Sequence, residues 1–326
     1  VYTQSAVREP KKTIQPITRL APSPTGALHL GNALSFVTNW ALARKRNWHI
    51  ALRIENLDTP RIKPGVIDQT IATLEWLGLD WDSGPTTQSN ALERYQQAME
   101  TLAEQGQIYP CALTRTQIEA ASSAPHTGDP DAHETRFDPA LRPGVIPKRF
   151  DDMGTNWRFV VEPGAVEFRD IHYGVQSFDL AETLGDFVVW TKRAAPSYQL
   201  AVVVDDALAG VTQIVRGNDL LDSAARQLRL YRALGIEDEP TYTHLPLVRG
   251  PDGRRLAKRH GDTRIDTYTQ LGTPRERIIG LVAFLSGIIK ERAPMSIGEF
   301  VDRFSLDTLP RDDLVFTPED DAWLRS

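Results

Sequence analysis

Two stretches of this chain hold residues whose types and spacing suit work on a polyphosphate. The first is Arg19-Leu20-Ala21-Pro22-Ser23-Pro24-Thr25-Gly26-Ala27-Leu28-His29-Leu30-Gly31, followed by Asn32. An apolar segment runs into Pro- and Gly-rich backbone and then into a helical pattern. Strand, tight loop and helix in that order aim backbone N–H groups and a helix N-terminus at an anion. His29, at the mouth of the helix, can hydrogen-bond phosphate oxygens, and Gly31 lets a purine approach the backbone. Far downstream, Leu245-Pro246-Leu247-Val248 leads into Arg249-Gly250-Pro251-Asp252-Gly253 and then Arg254-Arg255-Leu256-Ala257-Lys258-Arg259. A Gly-flanked loop beside a strand end suits delivery of the Lys258 charge to a leaving polyphosphate. Taken singly, the first stretch is also an ordinary turn between strand and helix, and the second an ordinary basic hairpin.

Composition sets the class of protein in which these residues act. The chain has 326 residues, 41% hydrophobic and 25% charged, which suits a soluble globular protein of about two domains. A net charge of −6 argues against a general nucleic-acid coat but allows a local basic face. On charge alone, the Arg-rich clusters Arg226–Arg232 and Arg249–Arg259 read as solvated faces. Cys111 is the one cysteine, so no internal disulfide forms and a reducing, cytoplasmic setting is expected. The polar opening Val1–Lys12 lacks the apolar core of a signal peptide, and its Val start suggests a trimmed or incomplete beginning. The longest apolar run, Ile278–Ile289, falls short of the ~20 residues of a bilayer span and is broken by Gly280, Ser286 and Gly287. It reads as a buried helix, and no membrane partner is expected.

The elements that must position the two stretches follow from periodicity. Strands are expected at Ile17–Leu20, Ile50–Ile54 and Ile108–Tyr109. Helices are expected at Leu30–Arg44, Val66–Leu77 and Ala91–Gln105, the last two stopped by Gly78 and Gly106. Such alternation predicts a parallel sheet covered on both faces. From Leu113 to Gly154 five prolines interrupt a loop-rich stretch, and Trp157–Val161 and Ala165–Asp170 read as antiparallel strands of an insertion. The apolar run Ala201–Val204 reads as a doubly buried strand, followed by strand Val211–Val215 and helix Ser223–Leu234. Beyond His244–Val248 the pattern is mainly helical. The expected divisions are a flexible segment 1–16, a first half-domain 17–112, an insertion 113–184, a second half-domain 185–243 and a loop with a helical subdomain 244–326.

The two stretches resemble the HIGH-type and KMSKS-type signatures of class I aminoacyl-tRNA synthetases. They stand here as His29-Leu30-Gly31-Asn32 and Arg255-Leu256-Ala257-Lys258-Arg259. Arg255 and Ala257 replace the usual Lys and Ser, which implies slower or differently gated chemistry. The segments Arg19–Gly26, Leu52–Asp58, Tyr198–Asp206 and Val215–Asp222 look like the glutamyl subgroup. Free glutamate carries two carboxylates and one ammonium, so its pocket wants two cations, one anion and a polar clamp. Arg19 and Arg216 offer guanidinium forks, Glu55 a counter-charge for the ammonium, and Tyr198 and Ser23 hydroxyls. The resemblance implies that these residues, with Ala21, hold L-glutamate. It implies that His29, Gly31, Asn32 and Lys258 hold ATP, and that His29 and Lys258 are catalytic. Which arginine takes which carboxylate stays open, and for either one a structural ion pair is the alternative. Asp205-Asp206 reads as a structural or ribose-side pair at a strand end, with Mg2+ arriving on ATP.

The chain stops at Ser326, which leads us to expect no anticodon-binding domain. Pro60-Arg61 and the run Arg216–Gln227 are similar to the shortened paralogues, the glutamyl-queuosine tRNA(Asp) synthetases. That family implies an α/β, Rossmann-type catalytic domain with an inserted α+β acceptor-type subdomain and a short helical C-terminal part. It implies ATP-dependent activation of L-glutamate and its transfer to queuosine in the anticodon of tRNA(Asp). A truncated glutamyl-tRNA synthetase charging the 3′ end of tRNA(Glu) is one alternative. A non-catalytic paralogue binding tRNA or an adenylate is another. The family often carries zinc on a Cys-x-Cys motif, which here is Cys111-Ala112-Leu113. Structural zinc needs four ligands, so no metal is expected and packing must hold the insertion. A set of Cys111, His126 and His133 is the remaining zinc arrangement.

Overall fold

The computed structural model describes residues 15–57, 62–114, 116–118, 136–254, 256 and 262–326. Its first sheet is parallel and runs β1 (Ile17–Leu20), β2 (His49–Ile54), β3 (Ser83–Thr87). Helices α1 (Leu30–Lys45) and α2 (Val66–Trp76) are the crossovers. Helix α3 (Glu93–Glu104) leads to a second, antiparallel sheet of β4 (Ile108–Cys111), β5 (Asn156–Phe159), β8 (Phe187–Thr191) and β9 (Ala195–Pro196). The third sheet has the order β10 (Gln213–Gly217), β11 (Thr241–Leu245), β6 (Val166–Asp170), β7 (Gly174–Phe178). The short helix α4 (Leu180–Thr183), α5 (Tyr198–Leu208) and α6 (Leu221–Ala233) connect its strands. The first and third sheets meet where Thr212 N–H donates to the Ile17 carbonyl at 2.9 Å, which sets β1 beside β10.

The C-terminal part pairs β12 (Val248–Arg249) with β13 (Leu314–Val315) and adds four helices. These are α7 (Ile265–Gln270), α8 (Arg275–Leu285), α9 (Ile297–Arg303) and α10 (Pro318–Arg325). Helix α1 is buried along most of its length because it lies between the first sheet and helices α8 and α9. The apolar run at Ile278 does form a buried helix, with Ile278–Ala283 all enclosed. No helix of the described residues is long and apolar enough to cross a membrane.

Two expectations need correction, and one strand has no counterpart among those expected. Ala201–Val204 is not a strand but the middle of α5, capped by Ser197, whose Oγ accepts from Leu200 N–H. Residues Gln199–Asp206 are all buried, and a helix enclosed on every side gives the same short apolar run as an enclosed strand. The two insertion strands do not pair with each other. β5 joins β4 and β8, whereas β6 pairs with β7 and meets β11 in parallel. Finally, β3 escapes the pattern because Ser83-Gly84-Pro85-Thr86-Thr87 carries no apolar residue. Gly84 is required there: its φ is +96°, and a Cβ would meet the Leu52 carbonyl oxygen at 2.3 Å.

Cys111 is buried among Tyr109, Ile118, Phe137 and Val160. Among the described residues no group of His, Cys, Asp or Glu could hold a metal ion; His126 and His133 lie outside them. The polar tie beside this cluster is Asp186, which is 1% exposed. Its carboxylate accepts from Tyr109 OH at 2.6 Å, from Arg142 Nε and Nη2 at 2.7 Å each, and from Val161 N–H at 2.8 Å. Removing it strands a buried phenol, a backbone N–H and a guanidinium together. Asp186→Ala is therefore expected to cost about 3–5 kcal/mol, read as a lowered urea midpoint.

Candidate active site

A cavity of about 1450 Å³ opens between the sheets. Small-molecule clefts usually run to roughly 300–1,000 Å³, so there is room for more than an amino acid. Ser23 comes from the loop after β1, Glu55 from the end of β2, and Tyr198 and Gln199 from the first turn of α5. Leu220, Asp222 and Ser223 come from the junction of β10 and α6, and Phe178, Phe187 and Lys192 line the far side. Ser23, Glu55 and Tyr198 thus share the cavity wall. Arg19 and Arg216 are 5% and 6% exposed and lie behind it, close enough for both charges to act on Tyr198. Ala21 sits between Arg19 and Ser23 in the loop and shows no further role.

The electrostatics centre on Arg53, a residue that sequence reasoning missed. It lies on β2 and is 5% exposed. Its Nη1 meets Asp206 Oδ1 at 2.5 Å, its Nη2 meets Glu55 Oε1 at 3.1 Å, and its Nε lies 3.8 Å from Asp205 Oδ2. An arginine inside an otherwise apolar strand was the available signal, since such a cation needs a carboxylate. Arg19 Nε adds a contact to Asp206 Oδ2 at 3.4 Å. Asp205 accepts from Gln88 Nε2 at 2.7 Å and Tyr95 OH at 2.9 Å, and pairs with Arg94 at 2.9 Å. The acidic pair, expected as structural or ribose-side, makes structural contacts and sits on a buried helix, not at a strand end. Burial works to raise the pKa of Asp206, yet Arg53 and Arg19 hold it below the usual range. Burial does raise that of Glu55, against the pull of the same two arginines.

Arg216 differs from the other cations. Its Nε donates to His244 Nε2 at 3.0 Å, its Nη1 to Gln227 Oε1 at 2.8 Å and its Nη2 to the Leu220 carbonyl at 3.1 Å. The guanidinium lies 5.2 Å from the centre of the Tyr242 ring. No carboxylate among the described residues pairs with it. Glu55, Asp205 and Asp206 are in contact with Arg19, Arg53 and Arg94, and Asp170 with His244, so among the described residues Arg216 is a buried cation with no carboxylate in contact.

His29 caps α1. Its Nδ1 accepts from Gly31 N–H at 3.1 Å, while its own backbone N–H donates to Asn32 Oδ1 at 3.0 Å. Burial lowers its pKa, and a neutral ring that accepts at Nδ1 carries its proton on Nε2. The imidazole thus presents one N–H donor at a helix N-terminus. Gly31 serves this geometry, because a Cβ there would lie 3.0 Å from His29 Cε1. Neither His29, Gly31 nor Asn32 is part of the wall formed by Ser23, Glu55 and Tyr198. Lys258 lies outside the described residues. The chain just after its loop is laced to the first motif: Leu30 N–H donates to the Thr263 carbonyl at 3.1 Å, and Ile265 N–H to the Leu28 carbonyl at 2.8 Å.

The chain is similar to known proteins over most of its length. A family model described as "tRNA synthetases class I (E and Q), catalytic domain" matches residues 16–310. The chain is similar to a Glutamyl-Q tRNA(Asp) synthetase of Symbiobacterium thermophilum, 42% identical over 90% of this chain and 94% of that one. It is 35% identical to a glutamate–tRNA ligase of Nitratidesulfovibrio vulgaris, over 94% of this chain and 65% of the ligase. A solved glutamate-tRNA synthetase from Elizabethkingia anophelis superposes with a TM-score of 0.77 at 25% identity, covering 95% of this chain and 70% of that one.

The two buried arginines should respond differently to removal of charge. Arg53→Met leaves Asp206 and Glu55 without their main partner and is expected to cost about 3–5 kcal/mol. Arg216→Met leaves only neutral acceptors and removes an unmatched charge, so its cost stays within about 1–3 kcal/mol. Urea denaturation of the two variants side by side checks the ranking.

Proposed function

From the premise that this chain belongs to the class I tRNA synthetases of the E and Q type, ATP-dependent ligases, we propose that it activates L-glutamate and transfers it to queuosine in the anticodon of tRNA(Asp). The observation that carries the amino-acid part is Arg216, a buried guanidinium whose partners are all neutral. Such a charge is costly unless a ligand supplies the anion. Arg216 therefore takes one glutamate carboxylate, with Arg19 as the second fork, although Arg19 divides its charge with Asp206. Glu55 meets the ammonium, and the Tyr198 and Ser23 hydroxyls complete the clamp, with Ala21 in the same loop.

In the first step an oxygen of the glutamate α-carboxylate bonds to the α-phosphorus of ATP. The bond to the bridging oxygen breaks, and pyrophosphate leaves with its electron pair. Catalysis here is positioning plus stabilisation of charge on phosphate oxygens. His29 supplies its Nε2–H, Gly31 and Asn32 the mouth of α1, and Lys258 the charge on the leaving group. Mg2+ enters with ATP, held by its phosphates. In the second step a hydroxyl of the acceptor base attacks the mixed anhydride, forming an ester and releasing AMP. The cytoplasm, where ATP and tRNA are available, is the place of action.

Identity favours the queuosine acceptor, being higher to the Glutamyl-Q relative than to the glutamate–tRNA ligase. The run Arg216–Gln227, similar to that of the shortened paralogues, supports the same acceptor; within it Asn218 donates to Tyr173 OH at 3.0 Å and to Asp313 Oδ1 at 2.8 Å. The test is glutamate transfer to two matched tRNA pools, one with queuosine and one without. Transfer confined to aspartate tRNA of the first pool is expected; equal transfer to glutamate tRNA in both would make the chain a glutamyl-tRNA synthetase. Lys258→Ala should slow glutamate-dependent pyrophosphate exchange by about 10²–10³-fold with glutamate affinity preserved. An unchanged rate removes Lys258 from the mechanism.

A further inference from the structure

Asp170 and His244 have completely buried side chains and take no part in the chemistry described above. Their place in the third sheet gives them a task. The pairing of β10 with β11 sets Arg216 directly across from His244, and Asp170 on β6 faces Tyr242 on β11. The three side chains thus form a row across neighbouring strands. We propose that Asp170 and His244 are positioning residues that orient Arg216 for the substrate carboxylate, an inference that rests on reading Arg216 as the carboxylate fork.

The argument begins with protons. Two groups meet His244 Nε2: Arg216 Nε at 3.0 Å, which only donates, and the Leu220 carbonyl at 3.2 Å, which only accepts. The carbonyl already accepts from Arg216 Nη2 at 3.1 Å, so the shorter contact with Arg216 Nε makes Nε2 a lone pair. The one proton of a neutral imidazole is then on Nδ1, which lies 2.7 Å from Asp170 Oδ2. A carboxylate can only accept, so Asp170 enforces that tautomer. The other tautomer would aim an N–H at Arg216. Asp170 is itself fixed: its Oδ1 accepts from the backbone N–H groups of His172 at 2.9 Å and Tyr173 at 2.8 Å, and its Oδ2 from that of His244 at 2.9 Å. Burial, joined by the Arg216 charge, holds the His244 pKa below its ordinary value against the opposing pull of Asp170, which favours the neutral ring that the contact with Arg216 requires.

The fork is thereby turned without being neutralised. A guanidinium has five N–H groups. His244, Gln227 and the Leu220 carbonyl take three of them, one on each nitrogen. One N–H remains on each terminal nitrogen, the number a carboxylate accepts in a bidentate pair. A carboxylate in the place of His244 would orient the same fork but cancel its charge. A neutral imidazole backed by an acid one strand away orients it and leaves the charge for the ligand.

Amide variants at position 244 separate orientation from packing, with pyrophosphate exchange giving KM for glutamate and for ATP. A glutamine can set its carbonyl oxygen near the Nε2 position, whereas an asparagine reaches only the Nδ1 position. His244→Gln is expected to keep the glutamate KM within about threefold of wild type. His244→Asn should raise it about 10–100-fold, the scale of a hydrogen bond to a charged group, with the ATP KM little changed. Asp170→Asn, which can donate to Nδ1 and so reverse the tautomer, should also raise the glutamate KM, and adding His244→Gln should remove that rise because an amide has no tautomer to lose. Equal glutamate KM values for His244→Gln and His244→Asn, or additive effects in the double variant, overturn the relay. Arg216→Gln is the separate arm: if it leaves the glutamate KM unchanged, the fork reading itself fails. If Arg216→Gln raises that KM while the His244 variants do not differ, only the relay fails.

Discussion

A guanidinium cannot remain buried and charged unless something answers its charge, and the Arg53–Asp206 pair is where this protein meets that constraint. Arg53 stands on β2 and Asp206 on α5, so the contact fastens the helix to the first sheet. Arg19 on β1 reaches the same carboxylate and also donates to the Val215 carbonyl on β10 at 3.4 Å. One acid therefore ties together the two sheets and the helix that form the cavity. Glu55 is held by the other end of Arg53, so the group expected at the ammonium is placed by the same pair.

The unequal treatment of the arginines follows from that arrangement. Asp205 and Asp206 are spent on Arg53, Arg19 and Arg94, and the buried acid of the third sheet, Asp170, meets His244 and does not touch Arg216. In place of an acid, Arg216 meets an imidazole, an amide and a backbone carbonyl, groups that satisfy hydrogen bonds at little electrostatic cost to the cation. In the proposed reading such a site would bind an anion by completing a hydrogen-bond set and a charge balance together. The cavity of about 1450 Å³ beyond it carries Phe178, Phe187 and Lys192 on its wall, and in the proposed reading the acceptor enters there.

Much of this was legible in the sequence, for identifiable reasons. The helices at Leu30, Val66 and Leu221 carry apolar residues at helical spacing and end at glycines or basic turns, so pattern alone finds them. Helix α5 was misread because Ala201–Val204 is apolar at every position, which removes the periodicity that separates helix from strand. Strand β3 left no trace because its pairing uses backbone groups and its side chains are polar. Residue types in the site were legible, but their pairings were not. Arg19 and Arg216 look equivalent in sequence, yet only Arg19 meets an acid. Arg53 and His244 matter through contacts with distant strands, and a lone Arg or His in a strand does not announce its partner. Lys258 rests on its motif and on the lacing of Leu28 and Leu30 to the segment beyond its loop.

The central claim is that Arg216 is kept charged and unmatched for a substrate carboxylate. A crystal structure with L-glutamate bound tests it most directly. The account predicts a glutamate carboxylate on the two free N–H groups of Arg216, with His244, Gln227 and the Leu220 carbonyl still holding the other three. A protein carboxylate paired with Arg216, and glutamate bound elsewhere in the cavity, would contradict it.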